Sequence, residues 1–174
     1  MKKLTFGDCT RKELEKLFDI KRVNELLHLD QWLSGNFEID TIHQTVLTWY
    51  RERLSFNFLD WNEQELALHF IGPMVSLVNY SDSEGRFNEF NKRSISAVIN
   101  DIELSGNPDG IIASGRSELG IPIFCLHAGG VPQYKKELDS SGDPTGQVLG
   151  AMLVSQHLNN NQKPIYGCWV SGAS

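Results

Sequence analysis

The chain has 174 residues, a formal net charge of −6, and 40% hydrophobic and 22% charged side chains, the dimensions of one globular domain. That composition excludes a disordered tail and a fibrous repeat, and the acidic balance argues against a protein that coats nucleic acid through bulk charge. No window approaches the roughly 18 continuous apolar residues of a membrane-spanning helix, because charges and amides interrupt every apolar run.

The chain starts Met1-Lys2-Lys3-Leu4-Thr5-Phe6-Gly7-Asp8, which meets an acid before the apolar stretch of a secretory leader can form. With Cys9, Cys125 and Cys168 far apart and outside any Cys-x-x-Cys pair, a reducing, cytoplasmic location is expected. Cys125 and Cys168 sit in apolar runs and read as small core residues.

The first 60 residues read as helices. Thr10-Arg11-Lys12-Glu13 forms a capping box, and Leu14, Leu17 and Phe18 follow at helical spacing, predicting a helix from Arg11 to Trp32. Ser34-Gly35-Asn36 breaks it. Ile42, Val46, Trp49, Tyr50 and Leu54 then mark a second helix, Thr41 to Ser55, expected to pack on the first. A third starts after Asp60-Trp61-Asn62-Glu63, with Asp60 or Asn62 as cap, and carries Leu66, Phe70, Met74 and Leu77 on one face, kinked at Pro73.

From Gly85 onward β-branched and aromatic residues predict strands at Phe87–Phe90, Ile95–Ile99, Ile102–Leu104, Ile111-Ile112, Ile121–Leu126 and Ile165–Val170. Between the last two, Asp143-Pro144 reads as an N-cap and first helical residue for a helix through Leu158. No internal repeat and no low-complexity linker divides the chain.

A helix with acidic residues, then Asn107-Pro108-Asp109-Gly110 on a hairpin, then a lysine beyond the next strand resembles the PD-(D/E)XK nuclease superfamily over roughly residues 60–172. The resemblance implies an α/β (α+β) fold: a helical arm, residues 1–59, packed on a restriction-endonuclease-like α-β-β-β-α-β core, residues 60–174, with a central mixed sheet. It also implies Mg²⁺ or Mn²⁺ held by Asp109 and Glu63, Lys135 stabilising charge at the attacked phosphorus, and hydrolysis of nucleic-acid phosphodiester bonds. Carboxylate oxygens are hard ligands, and the metal lowers the pKa of its bound water.

Each assignment has a plainer reading. Asn-Pro-Asp-Gly is also an ordinary type I turn. Glu63 shares a face with Leu66, Phe70 and Met74 at about 100° per residue, whereas Glu65 falls beside His69; either acid can serve only as a cap. The pattern departs from the family at the lysine: Gln133 stands two residues before Lys135, and Tyr134 two before Lys136, so the acid is missing and Gln133 takes its place. Glu137, His127 and Gln147 are lesser candidates, the first two read as solvent-facing or structural. The alternative is a catalytically inactive relative that binds a protein partner. Ser171-Gly172-Ala173-Ser174 directly follows the last strand, which leaves a sheet edge through which copies of the chain would pair.

Overall fold

The computed structural model describes residues 1–36, 38–80, 86–128, 143–160 and 163–170; the side chains of Glu63 and Ala128 lie outside the description. It is a mixed α/β structure built on two mixed sheets.

The first sheet has the order β1-β4-β3, with β1 at Lys2–Thr5, β3 at Ile95–Ile99 and β4 at Ile102–Gly106. β3 and β4 form a tight hairpin through Asn100 and Asp101, at φ 50° and 60°. Positive φ at both turn residues matches the right-handed twist of the flanking strands, and Asn and Asp tolerate it best after glycine. β1 runs parallel to β4, Lys2 beside Ile102 and Leu4 beside Leu104. This strand corrects the all-helical reading of the first 60 residues. Its alternation shows one apolar residue, Leu4, and its lysines are tied down by Glu13 and Glu103, each at 2.7 Å.

The second sheet has the order β2-β5-β6-β7, with β2 at Phe87–Asn91, β5 at Gly110–Ser114, β6 at Pro122–Ala128 and β7 at Tyr166–Val170. β2, β5 and β6 are antiparallel in turn, and β7 is parallel to β6. Asn107-Pro108-Asp109 therefore passes from one sheet to the other. The expected hairpin is absent there, since β4 pairs with β1 and β3 while β5 pairs with β2 and β6.

Helix α6, Pro144–Leu158, crosses one face of both sheets. It is apolar nearly all round because it is enclosed: Val148, Ala151, Val154 and Ser155 are buried against Leu4, Phe6, Leu104, Ile111 and Cys125. A Cβ on Gly146 would lie 2.2 Å from the Cys9 carbonyl oxygen, so only glycine admits the N-terminal segment there.

Helix α1, Arg11–Phe18, starts at the predicted box, with the Thr10 hydroxyl accepting from the Glu13 amide. It stops at Asp19, whose φ of 50° ends the helix well before Trp32. Helix α2, Leu27–Leu33, and helix α3, Thr41–Asn57, bury no residue, so the expected packing of α3 on the first helix gives no core. Trp32 of α2 reaches the sheet, stacking on Tyr166 at 4.9 Å.

The other face of the second sheet is covered by helix α4, Glu63–Leu66, a π-helical segment Ala67–Ile71, and helix α5, Gly72–Ser76. Pro73 has no N–H to donate, and the widened turn ahead of it takes up the irregularity. Leu66, Ile71 and Leu126 form a second small core there with Phe124, Cys168 and Val170 around it.

Candidate active site

The turn ahead of β5 sets Asp109 at the junction of the two sheets, where its backbone carbonyl accepts the Lys92 amide at 3.3 Å. Asn91, with its amide nitrogen turned toward these acceptors, donates to the same carbonyl and to Glu89 Oε1, 3.1 Å each. Glu89 Oε2 accepts the Tyr80 hydroxyl at 3.3 Å. Burial, and then the Glu89 charge, push that phenol up to about 12.

Two basic side chains meet the Asp109 carboxylate. His127 Nδ1 lies 2.8 Å from Oδ2 and Lys92 Nζ 3.7 Å from Oδ1. The reason is register: Gly110 on β5 faces Leu126 on β6, so the next residues outward, Asp109 and His127, are neighbours. Lys92 follows the last residue of β2 at φ 50°, a left-handed turn that swings its chain across the end of β5. Asp109 and His127 are mostly buried, 16% and 21% exposed, so their pair is shielded from solvent, whereas Lys92 at 67% stays hydrated. A carboxylate only accepts, so Nδ1 carries the proton, and in neutral His127 the Nε2 lone pair is left to take another.

The pair stands between two concavities. A groove of about 870 Å³ on the α4–α5 side is lined by Asp109, Lys92, Asn91 and Glu89 at its floor and by Gln64, Leu68, Pro73 and Tyr50 on its helical walls. On the α6 side, Asn107, Pro108, His127 and Gln147 line a cavity of about 140 Å³. Gln147 thus reaches the Asp109 turn from the opposite layer.

Of the residues singled out in the sequence, Asp109 is in this cluster. Gln133, Lys135 and Glu137 lie outside the described residues, as does the side chain of Glu63, which opens α4. Glu65 caps its own helix: its Oε2 accepts the Asn62 amide at 2.8 Å while the Asn62 side chain accepts the Glu65 amide at 3.0 Å. His69 packs on Trp61, ring centroids 5.4 Å apart.

His127 is not solvent-facing; it is mostly buried as the partner of Asp109. Lys92 is the cation beside Asp109, while Arg93 turns elsewhere and lies over the Phe90 ring at 5.9 Å. The signal that would have found Lys92 is the pairing of β2 with β5, which skips the β3–β4 hairpin and leaves no mark in local spacing.

Among the described residues no group of three or more His, Cys, Asp and Glu side chains stands close enough to hold a metal ion. The groove floor carries two hard anionic donors, Asp109 and Glu89, and His127 beside Asp109 is a nitrogen donor, but the three do not converge, so the fit to a divalent cation is partial. Compared with protein-family models, curated proteins and solved structures, the chain matches none.

Proposed function

We propose that the chain is a PD-(D/E)XK-like nuclease domain that hydrolyses phosphodiester bonds in nucleic acid, with Asp109 as its central carboxylate. What carries the reading is the position of Asp109 at the head of an inner strand of the four-stranded sheet, against His127 of the next strand and at the floor of an open groove. With the β3–β4 hairpin set aside as an excursion into the other sheet, the order from α4–α5 through β2, β5, β6, α6 and β7 supports a restriction-endonuclease-like α-β-β-β-α-β core.

Mg²⁺ or Mn²⁺, held by Asp109 with Glu63 and Gln133 as further ligands, would supply a bound water of lowered pKa and positive charge for the phosphate oxygens. Asp109 holds His127 in the tautomer whose Nε2 can take the proton of an attacking water. Lys92 sets a charge beside the carboxylate that steadies a phosphate drawn into the groove, the part that Lys135 plays in the sequence-based reading.

Calorimetric titration of Mn²⁺ into the wild type and Asp109→Ala tests this. Binding at millimolar affinity or better that vanishes in the variant is expected. An absence of heat in both overturns it and leaves the second reading, an inactive partner-binding relative, which the exposed Leu27, Leu33, Ile42, Trp49 and Phe56 of α2 and α3 favour.

A further inference from the structure

At the end of the β2–β5 pair away from Asp109, three cations gather in a chain that is otherwise acidic. Arg86, Arg116 and Lys163 line a concavity of about 440 Å³ with Phe87, Ser114 and Gly115, and no carboxylate is among the described residues that line it. Arg116 and Lys163 have no ion pair among the described residues. Like charges held together repel, and an anion between them relieves that cost.

The backbone fixes this arrangement. Lys163 is anchored through its carbonyl, which accepts from the buried Asn159 at 2.8 Å and from Gln156 at 3.0 Å. Gly115, at φ 109°, donates to the Arg86 carbonyl at 3.0 Å and turns the chain so that Arg116 comes beside Arg86. A side chain on Gly115 is barred by the Glu118 carbonyl oxygen, which would lie 2.1 Å from its Cβ.

Register aligns the pocket with the candidate site. Phe87 pairs with Ser114, Glu89 with Ile112 and Asn91 with Gly110. Alternate residues of a strand share a face, so the lining of the cation pocket and the floor of the groove lie on the same side of the sheet. The five residues from Asp109 to Ser114 span about 17 Å at about 3.4 Å each.

We infer that Arg86, Arg116 and Lys163 form a phosphate-backbone clamp that holds a nucleic-acid strand running along β2 toward Asp109. This rests on the nuclease reading for the identity of the polyanion, and its test needs neither metal nor cleavage. Fluorescence anisotropy in EDTA follows a labelled single strand of about 16 nucleotides, and the matching duplex, over a range of salt concentrations. The proteins are the wild type, Arg116→Gln/Lys163→Gln and the charge-preserving Arg116→Lys/Lys163→Arg.

The neutralised variant is expected to bind about tenfold more weakly at low salt, with the slope of log K against log salt shallower by about 0.7 per lost cation on the single strand and about 0.9 on the duplex. The charge-preserving variant keeps the wild-type slope. Absence of binding by the wild type, or an unchanged slope in the neutralised variant even where affinity falls, overturns the clamp. If the neutralised variant fails to fold by circular dichroism, loss of the wild-type slope in the charge-preserving one overturns it. Failure of the Mn²⁺ titration with the clamp intact removes only the nuclease reading.

Discussion

Cys9 and Cys125 are fully enclosed in the main core, and burial pushes both thiols from the ordinary 9.0 up to about 11. Cys125 also meets the Ser155 hydroxyl at 3.2 Å, a polar contact inside an apolar layer. A folded-state value above the unfolded one means the protein favours the protonated thiol. That stability is present in full below about pH 9 and is lost as pH rises through about 11, by about 2–3 kcal/mol for each thiol. Urea unfolding between pH 7 and pH 11.5, scanned at about half-unit steps, is expected to show a flat region and then a fall. In Cys125→Ala the fall should be shallower by one thiol's share, with Cys9, Cys168 and Tyr80 still raised by burial; an equally deep fall would assign the loss to those other groups. At this same scale the sequence disclosed Cys125 as a core residue and singled out Asp109, which lies at the floor of the groove, because residue type and neighbours suffice for each. It did not disclose the Asp109–His127 pair, which exists only through the register of β5 on β6.

One carboxylate serves two helices. Asp143 Oδ1 accepts the Thr145 amide of its own helix at 3.0 Å, and Oδ2 accepts the Arg11 amide at the start of α1 at 2.6 Å. Unpaired amides of the first turn are the weak point of a helix, and removing a single cap costs about 1 kcal/mol. Asp143→Ala is expected to lose about 2 kcal/mol in urea melts because it uncaps both, and Asp143→Asn to recover about half of that, since its one amide oxygen accepts a single amide and its NH2 only donates. A loss in Asp143→Ala under about 0.5 kcal/mol would mean that water replaces the cap at no cost. The Asp143-Pro144 start was legible, since capping chemistry is local; its reach to Arg11, across 132 residues, was not. Elements failed to show where backbone geometry overrides periodicity. Asp19 ends α1 in a left-handed turn with no glycine to announce it, and the π-helical segment shifts the phase that a helical wheel carries from Glu63 to Leu77.

Across the molecule, stability is concentrated where α6 meets both sheets, and α2 and α3 contribute no buried residue to it. Segments with few buried apolar contacts open locally at low free energy. Hydrogen exchange followed by mass spectrometry is expected to show the amides of α3 exchanging orders of magnitude faster than those of β5, β6 and α6. Equal protection of α3 and β5 would show that something outside this chain covers the arm. The class of fold was legible because the strands announce themselves from Phe87 onward. The division into two sheets was not, since it depends on β1, whose short Lys-Lys-Leu-Thr run resembles a surface segment until β4 is beside it.

That pairing also governs the order in which the molecule can be assembled. Lys2 meets Ile102 after 100 intervening steps of chain, and its neighbours pair at the same separation. At about 5–20 residues per second, the ribosome takes about 5–20 s to make the strand that β1 requires. Until then Leu4, Phe6 and Cys9, all destined for burial, have no surface to join. The residues of β1 are thus made well before the strand they join, and they reach their place only once β4 has followed.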